Sequence, residues 1–357
     1  AGSDDPVLIT FAEQFIVEVG NEINYDNDAP LTIDGNGSTL DGQEDGRILY
    51  VSNTELTLRD LTFINGLSSA AGGAVVHDTS FQDGTLSVLN STFVNNRGAG
   101  NLGGAIFARD VEVFASTFVG NSSFRSGGAI SASSFFVVDS LFENNRADGA
   151  DALLGRGGAL FSASDGRFEV VNSTFVGNVA SDHGGALAGA GLIEVTNSTF
   201  TDNVAEINSG GALWSDGGSF ELTYVTLVDN EANLGAHLAP GSGLVSTGSV
   251  FGDYEGINAC NPGSAAATST DNWAVDNSCG FDADTNVVDG EDPGLGPLGD
   301  NGGFTPTMLP DADSPLLDAV DDCVEDVVTD QRGVTRPQGP ACDIGAVERE
   351  VPPLVCE

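Results

Sequence analysis

Arg125, Arg156 and His183 stand just ahead of the Gly-Gly pairs of three consecutive repeats. A row of guanidinium and imidazole groups along one edge, with Asp148, Asp151 and Asp182 nearby, could bind an acidic sugar and lend an Arg or His as catalytic base. The turns that carry these residues differ in length, which favours the plainer reading of solvated side chains paired with local acids. Asp202 and Asp229 share one position in two adjacent repeats, where two carboxylates repel unless a cation or a shared proton lies between them. Residues 282–292, DADTNVVDGED, set the oxygen ligands Asp282, Asp284, Asn286 and Asp289 in a single loop. Such a set suits calcium, although the loop lacks the Gly at its sixth place and the Glu at its twelfth that an EF-hand requires. Calcium at these six residues is the only cofactor expected. The chain has no Gly-x-Ser-x-Gly elbow, no His-Glu-x-x-His and no phosphate loop, and its three histidines, His77, His183 and His237, are scattered. A histidine-based metal centre does not fit that scatter.

The elements that must position these groups are written as a repeat. Gly-Gly-Ala occurs six times between residues 72 and 212, and a Ser-Thr-Phe phrase recurs with it. Aligned on its phenylalanine, the chain gives Phe63, Phe93, Phe118, Phe142, Phe175, Phe200, Leu227 and Phe251, at intervals of 24 to 33 residues. A period in that range is the mark of a solenoid. Seven and five residues before these anchors stand apolar pairs such as Leu86 and Val88, Val111 and Val113, or Phe168 and Val170, with polar residues between them. Alternation with a period of two is a strand with one buried face. A second strand follows each glycine pair, as in Ala105-Ile106-Phe107, Ala159-Leu160-Phe161 and Ala212-Leu213-Trp214. No repeat buries its own apolar face, so successive repeats must stack, each strand bonded to its counterpart at roughly 4.8 Å per coil. The fold class predicted is all-β, a right-handed parallel β-helix of about nine coils.

Three residues after the anchors come Asn96, Asn121, Asn145, Asn178, Asn203 and Asn230. They are expected to turn a corner in the left-handed conformation and to stack their amides from coil to coil. The Gly-Gly pair marks the next corner, where a positive φ and close neighbouring coils exclude a Cβ. Proline is absent between Pro30 and Pro240 and frequent afterwards, as a ladder that needs every N–H demands. The expected organisation is an N-terminal strand or cap over residues 1–30, regular coils over 31–252, and an irregular capping region over 253–357. Asn90, Asn172 and Asn197 begin Asn-Ser-Thr acceptor triplets, but recur with the repeat, so turn chemistry explains them without sugar.

With 53 acids against 11 bases, all of them Arg, the formal charge is −42. That excludes phosphate backbones and anionic bilayers as partners, since both are held by clusters of Lys and Arg. No stretch is long and apolar enough to insert in a membrane as a helix. All five cysteines lie in the last hundred residues; Cys260 and Cys279, and Cys323 and Cys342, make two 19-residue spacings, while Cys356 is left over. No metal pattern is present, and two disulfides in an oxidising compartment follow.

LTIDGNGSTLDG, residues 31–42, and the GGA…NSTFVGN repeats resemble right-handed parallel β-helix proteins of bacterial surfaces, including the polymorphic outer-membrane-protein type. LGPLGDNGGFTPTMLPDADSPLLDA from Leu295 and TDQRGVTRPQGPACDIGAVE from Thr329 look like the C-terminal region of the choice-of-anchor Q group. The resemblance implies an extracellular, surface-displayed protein with no established catalytic activity. The function expected is therefore a structural or adhesive cell-surface rod that partners itself, stacking head to tail into filaments through VLITF (7–11), FIVEV (15–19), VPPLVCE (351–357) or a Cys356 bridge. The alternative is a polysaccharide-binding or polysaccharide-degrading β-helix, lyase or glycosidase, working at Arg125, Arg156 and His183.

Overall fold

The computed structural model describes residues 5–79, 84–149, 155–256, 258–261, 266–288 and 290–350. Asp151, Asp289, Cys356 and the segment 351–357 lie outside the described residues. The architecture is all-β, a parallel solenoid of about 10 turns, and no helix occurs among the described residues. A typical coil gives two strands to a broad sheet, Asp110–Phe114 and Thr117–Val119, then Ser122–Ser123 to a second sheet and Ile130–Ser131 to a third. The anchors fall in register from coil to coil, Phe63 on Phe93, Phe118, Phe142, Phe175 and Phe200, then Leu227 and Phe251.

The interior is built from rows of like residues. Rings of the six stacked phenylalanines lie 4.7 to 4.8 Å apart and within 5° of parallel. Isolated aromatic pairs prefer offset or edge-on contact, so the strand spacing, and not ring electrostatics, sets this arrangement. Leu86 and Val88, Val111 and Val113, Phe135 and Val137 fill adjoining rows and are buried.

The asparagine corner divides its work between two neighbours. The side chains of Asn96, Asn121, Asn145, Asn178 and Asn203 are buried, and each Nδ2 donates to Oδ1 of the next asparagine at 2.9 to 3.0 Å. The left-handed conformation expected of them belongs instead to the residue before: Asn65, Asn95, Gly120, Asn144, Gly177, Asp202 and Asp229 have positive φ. A buried amide can then ladder while its exposed neighbour absorbs the turn. A serine ladder closes the corner between the two broad-sheet strands, with the N–H groups of Ser91, Ser116, Ser140 and Ser173 each donating to the next serine Oγ. The glycine pair also splits its duties. Gly127 holds φ +67°, whereas a Cβ on Gly128 would sit 2.0 Å from the Gly158 carbonyl oxygen of the next coil.

The two ends of the stack are built differently. Val7–Thr10, Ile16–Glu18 and Ile23–Asp26 pair in register with residues 31–34, 39–41 and 49–52, so the N-terminal segment is the first coil. At the far end Tyr254–Gly256, Ala266–Thr270 and Trp273–Ala274 extend the ladders past residue 252. Pro240 does not end them because it lies just past the strand Leu238–Ala239, where it removes no strand donor. The Cys260–Cys279 disulfide and buried Phe281 close that end of the core. The irregular region that follows, residues 295–348, docks along the side of the broad sheet. Gln331 Nε2 donates to Thr174 Oγ1 at 2.7 Å, Thr199 Oγ1 donates to Gln331 Oε1 at 2.7 Å, and the Ala346 N–H reaches Thr226 Oγ1 at 3.0 Å. Within it a buried Arg336–Glu348 pair, 3.1 Å apart, sits with the guanidinium 4.1 Å over the Tyr224 ring, and Cys323–Cys342 ties the segment together. Disulfides at both expected spacings fit an oxidising environment.

Candidate functional site

The sheet of short strands that follow the glycine pairs carries the basic row on its edge. Leu160–Phe161, Leu187–Gly189 and Leu213–Ser215 point leucine inward and the next residue outward, because strand side chains alternate. Trp214 is thereby held on the outer face, partly exposed beside the small side chains of Ala188 and Ala239.

Arg156 and His183 converge on this ring. The Arg156 guanidinium lies 4.7 Å from one Trp214 ring centroid, and the His183 imidazole stacks on Trp214 at 4.5 Å and 18°. Asp182, 1% exposed, anchors both: its Oδ2 lies 3.3 Å from Arg156 Nε and its Oδ1 lies 3.6 Å from His183 Nε2. Asn208 Nδ2 also donates to Asp182 Oδ1, at 2.6 Å. Arg156 Nη1 reaches the exposed Asp216 at 3.7 Å. His183 Nδ1 accepts the Ser209 N–H at 3.3 Å, which leaves the proton of the neutral ring on Nε2, facing Asp182. Burial pushes the imidazole below its ordinary value; the Arg156 charge adds to that and the Asp182 charge opposes it. The ring is thus a neutral, doubly engaged stacking partner at pH 7.

Arg125 joins from the preceding coil. It stands two residues before its glycine pair, not one, and with Arg156, Leu102, Ser126 and Phe161 lines a pocket of about 220 Å³. The structure therefore brings Arg125 to Arg156, and Arg156 to His183, through aromatic and acidic neighbours. Asp148 is elsewhere, on the second sheet, where it pairs with Arg146 at 2.5 Å. Phe161 and Trp214 were visible as the outward residues of strands after Gly-Gly-Ala, but nothing in residue type marked them as more than strand formers.

A larger pocket of about 460 Å³ lies at the first coils beside Glu22, Asp45 and Arg47. Its Arg47 is committed to Glu22, Ser68 Oγ and the carbonyls of Ala71 and Gly72, which makes it a clamp between coils.

Of the candidate calcium ligands, Asp202, Asp229, Asp282 and Asn286 hold positions in the turns and ladders. Asp202 and Asp229 hold φ of 56° and 55° at the corner that asparagine or glycine fills in other coils. Asp282 Oδ1 accepts the Asp284 N–H at 3.0 Å, and Asn286 Oδ1 accepts from Asn272 Nδ2 at 2.7 Å as the last rung of the serine corner. Among the described residues no three His, Cys, Asp or Glu side chains come together as a metal-holding group. Asn197, one of the Asn-Ser-Thr residues, is buried and donates to the Thr329 carbonyl at 2.7 Å. No family model, curated protein or solved structure matches the chain, which is placed by its architecture alone, as a parallel β-solenoid.

Proposed function

We propose that the protein is an extracellular structural and adhesive rod of the cell surface that associates with a second copy of itself, end to end, through its N-terminal coil. The observation that carries this reading is the state of that coil. Ile9 and Ile23 occupy inward rows continuous with Ile33 and Leu49, yet they are 44% and 43% exposed where the next residues in the rows are 7% and 1%. Leu8, Phe15 and Ile16 add exposed apolar surface beside them. The outer edges of Val7–Thr10, Ile16–Glu18 and Ile23–Asp26 pair with no strand among the described residues. Open edges next to apolar side chains are templates for strand addition.

Head-to-tail growth would need a matching surface at the other end, and there the core is closed by the Cys260–Cys279 segment. Pairing of like ends is favoured instead, an isologous contact that closes at two copies. Two disulfides support an extracellular setting, and the likeness of residues 295–319 and 329–348 to the choice-of-anchor Q tail supports display on a surface. Light scattering on a sizing column and negative-stain electron microscopy test the reading. Particles of twice the chain's mass, seen as rods of doubled length and reduced to single rods by Ile16→Lys, are expected. A monomer at every protein concentration and ionic strength overturns it, and filaments with a one-rod repeat replace like-end pairing with head-to-tail stacking.

A further inference from the structure

The outward row of the glycine-pair sheet has a pattern that the rod reading does not use. In register, coil by coil, it runs Tyr50, Val76, Phe107, Ser131, Phe161, Ala188, Trp214 and Ala239. An aromatic ring occupies every second coil. The intervening Val76, Ser131, Ala188 and Ala239 are buried, while Tyr50, Phe107, Phe161 and Trp214 remain partly open to solvent. Rings two coils apart are separated by roughly 9.6 Å along the rod axis. Nothing in solenoid packing demands this period, because each coil presents the same outward position.

We propose that this flank is a binding site for an uncharged linear glycan lying parallel to the rod axis, its sugar rings stacked on alternate coils and centred on Phe161 and Trp214. A pyranose presents an apolar face of C–H groups and a rim of hydroxyls, so it needs ring platforms together with both donors and acceptors. The flank has both. Arg125 and Arg156 border the pocket next to Phe161, and Asp216, 68% exposed at its side chain, lies beside Trp214. Trp214 is held rigid by the His183 stack, and Arg156 by buried Asp182, so little freedom remains to be lost on binding. The charges choose between neutral and acidic sugars. Around the two rings the described formal charges cancel, Arg125 and Arg156 against Asp182 and Asp216, while the chain as a whole carries −42. A polyanion would be repelled with no local surplus of positive charge to offset it. The stride, about the length of a disaccharide, calls for a chain of several sugars that engages two or more rings at once, so each added platform strengthens binding.

Trp214 and Trp273 are the two tryptophans, and Trp273 is buried, so a ligand-induced change in fluorescence reports on Trp214. The intact protein is titrated with cello- and manno-oligosaccharides of two to six sugars and, separately, with polygalacturonate oligomers. Hexamers of at least one neutral series are expected to bind far better than dimers, with an affinity unchanged from about 0.1 to about 1 M salt. By calorimetry, Trp214→Ala and Phe161→Ala are each expected to weaken binding roughly tenfold, the equivalent of about 1.4 kcal/mol. Phe136→Ala, which removes an Arg167-topped ring from the broad sheet, should leave it unchanged. Thermal melts confirm folding of each variant. The proposal is overturned if no neutral oligomer binds, if the Trp214 and Phe161 variants bind as well as the parent, or if only polygalacturonate binds and salt abolishes it. Because the flank is remote from the N-terminal coil, loss of glycan binding and loss of self-association are read separately.

Discussion

The first and last coils share one cross-section and end in opposite ways. At the N-terminal coil, Ile9 and Ile23 stand in core rows with no further rung among the described residues. At the other end, Ala274, Cys279 and Phe281 are buried, and Val287 returns a backbone N–H to the Asn272 carbonyl at 2.9 Å, capping the broad sheet. A stack of identical layers has no internal reason to stop, so its last layer always exposes core and strand edge. Closure must come from sequence that leaves the repeat, and residues 275–290 are such sequence. The N-terminal coil keeps the repeat's alternation, and its apolar row and outer strand edges pair with no strand among the described residues.

The comparison can be broken from the closed side. Arg336→Met leaves Glu348 buried without its cation in the side-docked region, and a loss of about 3 to 5 kcal/mol is expected in equilibrium unfolding. Asn145→Ala, in mid-ladder, removes the partner of the Asn121 N–H, one of the two partners of Asn121 Nδ2 and the Nδ2 donor to the Phe118 carbonyl, and should destabilise the rod by about 3 kcal/mol. If this loss is no greater than that from Asn230→Ala at the end of the ladder, the amide row is not cooperative.

His237 sharpens the contrast through pH. Complete burial lowers its pKa to about 4, and its Nε2 donates to the Gly252 carbonyl at 2.9 Å near the closed end. Between about pH 6.5 and 4 the unfolded chain takes up a proton that the folded chain refuses. Stability therefore falls as pH falls through that window, by on the order of 3 kcal/mol at its lower limit. Buried Asp343 and Glu348, whose pKa values are raised by desolvation, act in the opposite direction. The His237→Gln variant isolates the imidazole: its stability deficit at pH 7 should shrink towards zero near pH 4, and a pH-independent deficit would refute the assignment.

At the open end, Ile16→Lys should change monomer stability by less than about 0.5 kcal/mol, since the side chain is 76% exposed, while abolishing the dimer. The smallest effect is expected on the broad sheet. Glu169, Glu194 and Glu221 face outward in adjacent coils, and burial, then both neighbours, raise the Glu194 pKa. Glu194→Gln should stabilise by a few tenths of a kcal/mol at low salt, with the gain vanishing as salt is added.

Much of the fold is legible before any coordinate. The anchor phenylalanines, the apolar pairs five and seven residues before them and the glycine corners all lie where their spacing puts them, because a stacked coil repeats one environment at one chemical position. Asn96 and its successors were legible as a ladder but not as the wrong half of their corner; a buried amide and a left-handed neighbour look alike as letters. The residues of the candidate site were less visible. Arg156 and His183 could be seen as polar exceptions at a turn, whereas Trp214 and Phe161 were disguised as strand formers, and Asp182 as a local acid.

The amino-acid sequence alone determined the solenoid, its register, its acidity and its two disulfide spacings, since each follows from local alternation, composition or a fixed interval. The tertiary structure decided which end stays open, where the C-terminal segment docks, and that Arg125, Arg156, His183, Phe161 and Trp214 meet. Those are contacts between residues a coil or more apart, and their geometry depends on how the chain turns between the rungs.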